Sequence, residues 1–372
     1  MTSKNNPVDT ALMNVALGLA QRGLGNTAPN PAVGCVLARP DLDHRIVGRG
    51  WTQAGGRPHA ETEAIRRAGD LACGATAYVT LEPCCHHGQT PPCTDALIAA
   101  GIARVVIAAP DPDDRVAGGG VEALKNAGMD VSVGLLEGEA NRVNAGFLKR
   151  ITKSRPHITL KTATSLDGCI ATNPGQQQWI TGEPARAYGH YLRARNDAIL
   201  TGMGTVRADN PSLTCRLPGL GHASPIRVVM DPRLEIPDDS NLVSTARSTP
   251  TWVITGADCG PCDADGLSVF HLELDTGGKL APAAVMTLLA EQGINRVLLE
   301  AGGKLNAAFL HAGLVDEIYW FRAPVVIGGD GVSAIEGVCV DQMADVPGFK
   351  QTGSFSLGVD QVEIYEAISS AP

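Results

Sequence analysis

The chain contains His59-Ala60-Glu61 and, further along, Pro83-Cys84-Cys85-His86-His87-Gly88-Gln89-Thr90-Pro91-Pro92-Cys93. One histidine, two separated cysteines and a carboxylate beside the histidine are typical of a zinc site that activates water. Three protein ligands leave the fourth tetrahedral position open, whereas a structural zinc site closes all four positions with protein atoms. The pattern therefore predicts an open zinc site with His59, Cys84 and Cys93 as ligands.

Glu61 and the two cysteines indicate the kind of chemistry. A carboxylate that does not bind the metal can take a proton from water and deliver it to a leaving group, which is the general acid and base role in zinc deaminases. Cys84 and Cys93 must bind as thiolates, and we expect each near the start of a helix, where the positive dipole end lowers a thiol pKa.

The spacing of the two cysteines points to a particular class of deaminase. Eight residues separate Cys84 from Cys93, unlike the Pro-Cys-x-x-Cys of deaminases that act on bases in nucleic acid. With Thr80-Leu81-Glu82 before Pro83 and Asn30-Pro31-x-Val33-Gly34 upstream, the segment resembles the deaminase half of the bifunctional deaminase/reductase family of riboflavin biosynthesis. The resemblance implies a cytidine-deaminase-like three-layer α/β/α domain, with Glu61 as catalytic residue and Asn30 orienting a pyrimidine.

Composition limits the class of protein and its partners. A chain of 372 residues with 44% hydrophobic residues is long enough for two cores. A net charge of −9 without a long basic run speaks against nucleic acid as a partner. The ten cysteines accompany a polar N-terminus and no apolar run of membrane-spanning length, so we expect reduced thiols, a cytoplasmic location and no membrane partner.

The periodicity predicts two domains, residues 1–150 and 157–370, joined by an extended linker over residues 151–156. The first domain begins with a helix whose buried face is predicted to carry Val8, Leu12, Val15 and Leu19. It ends with one helix over residues 137–149. We interpret the run Gly118-Gly119-Gly120 as a flexible turn.

The second domain resembles the reductase half of the same family, an α/β fold like that of dihydrofolate reductase. Three motifs carry the resemblance: Trp179-Ile180-Thr181, Gly202-x-Gly204-Thr205-Val206-x-Ala208-Asp209-Asn210-Pro211-x-Leu213-Thr214, and Glu300-Ala301-Gly302-Gly303-x-Leu305. In the third motif, glycines let a backbone approach a phosphate, and the following helix offers free N–H groups. No Gly-x-Gly-x-x-Gly follows a strand, so a Rossmann site is not supported.

The second resemblance also implies the residues of a reductase site. Arginines 193 and 216 suit a sugar phosphate, which they can bind through paired hydrogen bonds. The residues implied to contact substrate are Gln177, Arg193, Leu213, Arg216 and Glu300. The residues implied to contact NADPH are Ala163, Trp179, Thr205, Asp209, Gly302, Gly303, Lys304, Leu305, Asn306, Ala307 and Ala308.

Together the two halves imply a bifunctional enzyme that holds one Zn²⁺ per chain and uses NADPH. The first site would deaminate 2,5-diamino-6-(5-phosphoribosylamino)pyrimidin-4(3H)-one, and the second would reduce the ribosyl side chain of 5-amino-6-(5-phosphoribosylamino)uracil to ribityl. The partners are then small phosphorylated pyrimidines, and we expect a homo-oligomer, a dimer or a tetramer. Gln89, Thr52 and Asp113 depart from the family pattern, in which Lys or Arg, His and Asn stand at these positions.

Two alternatives belong to other classes of function. One is a deaminase of a different nucleobase fused to a general NADPH reductase. The other is a non-catalytic protein with a structural zinc ion, which would need a fourth protein ligand; His86 is the candidate for that ligand.

Overall fold

The computed structural model describes residues 6–88, 90–113, 115–172, 179–256, 266–338 and 342–368. The chain divides into two compact units, Met1–Ser154 and Arg155–Pro372. Separate hydrophobic clusters fill the two units. Within the described ranges, no helix combines the length and the hydrophobicity that a membrane span requires.

The first unit is built on a five-stranded sheet in the order β2-β1-β3-β4-β5. Strand β1 pairs antiparallel with β2 and β3, whereas β3, β4 and β5 run parallel. All residues of β3 are buried, and because successive side chains point to opposite faces, both faces of the sheet must be covered. Its strands are β1 Gly34–Arg39, β2 Arg45–Trp51, β3 Thr76–Val79, β4 Arg104–Ile107 and β5 Asp130–Val133. Its helices are α1 Pro7–Ala20, α2 Ala60–Ala68, α3 Cys93–Ala99, α4 Gly119–Asn126, α5 Glu137–Val143 and α6 Ala145–Lys153.

Helix α1 is rotated relative to the sequence prediction. Val15 is 38% exposed, so the predicted apolar face is only partly buried. The buried face is centred instead on Asp9, whose carboxylate pairs with Arg104 at 2.9 Å, and on the small Ala16 and Ala20. These alanines allow close packing on β1, since a Cβ on Gly34 would lie 1.9 Å from the Ala16 carbonyl oxygen.

The single helix predicted over residues 137–149 is wrong, because Asn144 divides it into α5 and α6. The Asn144 side chain accepts a hydrogen bond from the Ala32 N–H at 2.9 Å, which fixes this residue outside helical geometry. The predicted extended linker is also partly wrong, since α6 continues to Lys153. The helix ends at Ser154, which is left-handed with φ 50°, and Arg155 precedes a proline that disfavours helix.

The second unit is built on a nine-stranded sheet in the order β11-β10-β9-β8-β12-β6-β13-β16-β15. The strands from β11 to β13 in that order are parallel, and β16 and β15 add an antiparallel hairpin at one edge. The strands of this sheet are β6 His157–Thr164, β8 Ala198–Gly202, β9 Ile226–Met230, β10 Thr251–Thr255, β11 Leu267–His271, β12 Arg296–Leu299, β13 Glu317–Arg322, β15 Phe349–Leu357 and β16 Asp360–Ala367. A two-stranded ribbon is formed by β7 Cys169–Ala171 and β14 Val332–Ser333, and the helices are α7 Glu183–Ala194, α8 Met203–Asp209, α9 Asn241–Ser244, α10 Pro282–Glu291 and α11 Gly303–His311.

The parallel strands determine where a site can form in this unit. Strands β8, β12, β6 and β13 are neighbours, so the segments that follow them meet at one edge of the sheet. Two of the three family motifs follow β8 and β12 directly. The sheet therefore brings residues from distant parts of the sequence to one place.

Candidate active sites

The three predicted zinc ligands come together in the first unit. His59 is the N-cap residue of α2, and Cys93 is the first residue of α3. Cys84 lies in the loop after β3 rather than in a helix, and its Sγ accepts the Cys93 backbone N–H at 3.4 Å. The ligand atoms of His59, Cys84 and Cys93 all lie within 4.8 Å of one another.

The distances between these atoms fit a tetrahedral zinc ion. With Zn–N near 2.0 Å and Zn–S near 2.3 Å, a tetrahedral site places nitrogen and sulfur about 3.6 Å apart. The His59 Nδ1 atom lies 3.6 Å from the Cys84 Sγ and 3.2 Å from the Cys93 Sγ. The donor set therefore suits zinc with little rearrangement.

The electrostatics around the ligands favour a bound cation. The hydrogen bond from the Cys93 thiol lowers the pKa of Cys84 to about 4. The same hydrogen bond, with burial, raises the pKa of Cys93. The hydrogen bond with Cys84 raises the pKa of His59, and burial raises the pKa of Glu61. A divalent cation would replace the protons that these groups share.

A fourth protein ligand is absent from the cluster as far as the described residues show. The group contains His59, Cys84 and Cys93 alone, so His86 does not complete it. The Cys85 sulfur is directed to the carbonyl oxygens of Arg115 and Val116 at 3.8 and 4.0 Å. The geometry is that of an open site.

The loop that carries Cys84 is anchored through Glu82, a residue to which the sequence interpretation gave no role of its own. The buried Glu82 carboxylate accepts backbone N–H groups from Val121 at 3.0 Å, Gly118 at 3.2 Å and Asp111 at 3.3 Å. Our interpretation of residues 118–120 as a flexible turn is wrong, because Gly119 begins α4. Gly120 permits the contact, since its Cβ would lie 2.2 Å from the Pro83 carbonyl oxygen.

Two of the residues that depart from the family pattern, Thr52 and Asp113, make hydrogen bonds within the first unit. The Thr52 hydroxyl is buried and accepts the Val33 N–H at 3.0 Å. Asp113 is also buried, and it accepts Arg115 Nε at 2.8 Å. The third departure, Gln89, lies outside the described residues. Asn30 is half-buried against Gly56, whose φ is +82° and where a Cβ would lie 1.8 Å from the Asn30 side-chain nitrogen.

In the second unit, a cavity of about 160 Å³ lies at the carboxyl ends of β6 and β13. Ala163 and Trp179, both predicted to contact NADPH, line it together with Lys161, Phe321 and Arg186. Trp179 is 66% exposed and stacks on the Arg186 guanidinium at 5.0 Å. An exposed indole beside a cavity is suited to stack on a planar ring.

Glu300 is the centre of the charged groups beside this cavity. Its carboxylate accepts Arg193 Nε at 2.8 Å and Arg193 Nη2 at 2.9 Å, and it lies 3.7 Å from Lys161 Nζ. Burial alone would raise the pKa of Glu300, but the charges of Arg193 and Lys161 lower it to about 2. Lys161 was missed in the sequence, although a lysine within a buried strand is an unusual residue.

We predicted that Arg193 binds a sugar phosphate through paired hydrogen bonds, but in the structure its paired nitrogens have a partner within the protein. The paired nitrogens bind Glu300, and Arg193 Nη1 donates to the Thr214 carbonyl oxygen at 3.1 Å. Thr214 stands between Leu213 and the exposed Arg216, both predicted to contact substrate. Leu213 is buried with φ +52°, a strained geometry typical of residues fixed at functional sites.

Two helices begin at the same edge of the sheet, after β8 and β12. They are close together, because a Cβ on Gly202 would lie 3.2 Å from a Leu305 methyl group. Space is open beside Gly302, the N-cap residue of α11, whereas a Cβ on Gly303 would lie 2.5 Å from the Ser333 carbonyl oxygen. Asn306 is fully buried and donates to the carbonyl oxygens of Ala301 and Ala334. Ala307 is buried as well, so a cofactor here would meet the first turn of the helix. Thr205 is half-buried and Asp209 exposed on α8, and Gln177 lies outside the described residues.

Two family models match the chain, one in each unit. The family model "RibD C-terminal domain" matches residues 156–362, and the model "Cytidine and deoxycytidylate deaminase zinc-binding region" matches residues 7–109. The riboflavin biosynthesis protein RibD of Bacillus amyloliquefaciens is 44% identical over 354 residues, which cover 94% of this chain and 93% of that protein. RibD of Escherichia coli is 43% identical over 355 residues, covering 92% of this chain and 95% of that protein.

The chain belongs to the RibD family.

Solved structures of the RibD family have the same fold. RibD of Acinetobacter baumannii superposes with a TM-score of 0.87 at 38% identity, covering 98% of this chain and 99% of that one. A diaminohydroxyphosphoribosylaminopyrimidine deaminase/5-amino-6-(5-phosphoribosylamino)uracil reductase of Thermotoga maritima superposes with a TM-score of 0.85 at 33% identity, covering 97% of this chain and 99% of that one. The predicted fold class is thereby confirmed.

Membership of the RibD family decides between the functions considered above. The chain is a bifunctional deaminase and reductase of riboflavin biosynthesis, with a zinc-binding deaminase domain and a reductase domain that uses NADPH. Both the non-catalytic alternative and the fusion of an unrelated deaminase with a general reductase are therefore wrong. The predicted cofactors, zinc and NADPH, are confirmed.

Proposed function

We propose that the first unit deaminates 2,5-diamino-6-(5-phosphoribosylamino)pyrimidin-4(3H)-one, with His59, Cys84 and Cys93 as zinc ligands. The observation that carries this proposal is the cluster of three ligand atoms with the buried Glu61 two residues from His59. Zinc, when bound, supplies Lewis acidity at the position that the three ligands leave open. Asn30 would orient the pyrimidine ring.

Glu61 performs the proton transfers of this step. It takes a proton from the water whose oxygen bonds to the amino-bearing ring carbon, and gives it to the amino group as the C–N bond breaks. Ammonia leaves and an aminouracil remains. The burial that raises the pKa of Glu61 suits a group that must alternately hold and release a proton.

The second unit would reduce the ribosyl side chain of the aminouracil to ribityl phosphate. NADPH, when bound, supplies the hydride. Trp179 and Ala163 would line its site in the cavity, with Thr205, Asp209 and the first turn of the helix after Gly302 beside it. The proposed substrate contacts are Gln177, Leu213, Arg216 and Glu300, and Arg193 contributes by holding Glu300.

Lys161 completes the proposed reductase site. Its Nζ lies 3.7 Å from the Glu300 carboxylate, and the residue lines the cavity. As the sugar ring opens, the ring oxygen needs a proton, and the Lys161 ammonium group is placed to supply it while Glu300 holds the charge in position. Arg193 then orients Glu300 through its paired hydrogen bonds.

The remaining proposals concern organisation and location. We propose residues 1–150 as the deaminase domain and residues 157–370 as the reductase domain, in a homo-oligomer located in the cytoplasm. Among the described cysteines outside the proposed zinc site, the buried Cys35, Cys169 and Cys215 form no disulfide, as expected in a reducing compartment.

The test is ammonia release and NADPH oxidation by zinc-loaded protein, run beside Glu61→Gln. We expect the variant to lose ammonia release by at least about 100-fold, to keep its zinc, and to oxidise NADPH normally when given the deaminated intermediate. Glu63→Gln, a change on the same helix at a residue paired with Arg66, is the matched control. Wild-type protein that releases no ammonia from this substrate would refute the proposal.

A further inference from the structure

Arg57 lies between the two segments that carry the zinc ligands. It precedes His59 by two residues, and its Nη1 donates to the Thr90 hydroxyl at 2.7 Å. Thr90 in turn stands three residues before Cys93. The guanidinium charge also acts on the His59 imidazole. The hydrogen bond to Thr90 therefore holds Arg57 beside the proposed deaminase site.

Among the described residues of the first unit, none neutralises the charge of Arg57. Neighbouring arginines have partners: Arg66 and Arg67 pair with Glu63, and Arg115 pairs with Asp113. Across the described part of the chain, no carboxylate lies within ion-pair distance of Arg57, and Thr90 is its hydrogen-bond partner. A half-buried guanidinium with unused donors has the capacity to bind an anion.

A second polar group without a partner lies near Arg57. A Cβ on Gly88 would lie 4.0 Å from Arg57 Nη2 and 4.0 Å from the His86 ring, so these two side chains flank the Gly88 backbone. The buried His86 Nδ1 has no hydrogen-bond partner among the described residues. An oxygen-rich anion would accept hydrogen bonds from the unused Arg57 donors, and from His86 Nδ1 in the tautomer that carries a proton there.

We propose that Arg57 binds the phosphate group of the phosphorylated substrate at the deaminase site, and so selects phosphorylated over unphosphorylated ribosylaminopyrimidines. This inference rests on the proposed function of the first unit. A local cation matters in this chain, because its net charge of −9 disfavours the approach of an anionic substrate elsewhere on the surface. A planar guanidinium can bind phosphate through two hydrogen bonds.

The test compares two substrates in the zinc-loaded full-length protein. Arg57→Gln should raise the KM of ammonia release about 10- to 100-fold for the phosphorylated substrate, with kcat within about twofold. The KM for the same compound without its phosphate should not change. Arg57→Lys should recover part of the loss, and ribose 5-phosphate should inhibit Arg57→Gln more weakly than wild type by a similar factor.

Three measurements separate this inference from loss of structure. Arg49→Gln, at an exposed arginine of β2, should leave both KM values unchanged. Zinc content and NADPH oxidation with the deaminated intermediate should remain normal in Arg57→Gln. If Arg57→Gln leaves the KM for the phosphorylated substrate unchanged, or raises both KM values equally, Arg57 does not bind the phosphate. The proposed function of the first unit would be unaffected by that result. Absence of ammonia release by wild-type protein would overturn the proposed function and this inference together.

Discussion

Glu300 is the residue on which the charges of the second unit converge. Its carboxylate, on a side chain that is 11% exposed, joins Arg193 to Lys161, and removing its charge leaves the two cations without that partner. We expect Glu300→Gln to reduce NADPH oxidation about 100-fold while ammonia release is unaffected. Glu291→Gln, an exposed change on α10 of the same unit, should leave both activities intact. An equal loss in the two variants would contradict this assignment.

The stability of the second unit should also depend on Glu300, in a defined pH range. Its pKa is lowered from 4.5 to about 2, so it contributes stability that is fully present above pH 4.5 and lost as the pH falls towards 2. The shift corresponds to about 3 kcal/mol. Urea unfolding followed by tryptophan fluorescence should show wild type more stable than Glu300→Gln at pH 7, with a difference that shrinks below pH 4.5. A difference independent of pH would show that the charge is not responsible.

Individual residues differ in how far the sequence could reveal them. The zinc ligands were predictable because a ligand set with an adjacent carboxylate is a local pattern whose chemistry is specific. Lys161 was not predictable, because its proposed role depends on Glu300. The two residues are distant in the sequence, and the pairing of β6 with β12 brings them together. For the same reason the sequence suggested that Arg193 was free for a phosphate.

At the scale of elements, the start of α4 contacts the loop that carries Cys84 through hydrogen bonds to Glu82. Three backbone N–H groups from residues 111–121 donate to one carboxylate that lies two residues before Cys84. Glu82→Gln would direct an NH₂ group at some of these donors and loosen the loop. We expect zinc affinity, measured by chelator competition, to fall about 10- to 100-fold, as for other residues that orient metal ligands.

The control for Glu82 is on the same helix. Glu122→Gln, at an exposed position of α4, should leave zinc affinity unchanged. NADPH oxidation with the deaminated intermediate should be normal in both variants, because the second unit has its own core. Unchanged zinc affinity in Glu82→Gln would mean that the loop holds its geometry without this carboxylate.

The elements that the sequence predicted well are those with buried apolar runs. Strands β9 Ile226–Met230 and β12 Arg296–Leu299 are mostly apolar runs that are buried after their first residue, and hydrophobic patterning detects such runs. The hairpin of β15 and β16 was missed because its exposed edge strand, Phe349–Leu357, alternates with polar residues and lacks an apolar run. The turn signal was present, since Gly358 has φ +66° between the paired Leu357 and Asp360. The break in the helix at Asn144 depends on a hydrogen bond to Ala32, which is also distant in the sequence.

At the scale of the whole molecule, each proposed site draws its residues from one compact unit. His59, Glu61, Cys84 and Cys93 belong to the first, and Lys161, Arg193 and Glu300 to the second. Because the proposed residues of each site lie within one unit, we expect that the intermediate of one molecule is usable by another. A mixture of full-length Glu61→Gln and Glu300→Gln should therefore convert the diaminopyrimidine and oxidise NADPH, although neither variant does so alone.

The time course of the mixture would report how the intermediate travels. If it is released into solution, NADPH oxidation should begin after a lag, and the lag should shorten as more Glu61→Gln protein, which retains the reductase site, is added. Wild-type protein at the same site concentration is the reference. A mixture that releases ammonia but never oxidises NADPH, while each variant performs its retained step on supplied substrate, would show that the intermediate must pass within one molecule.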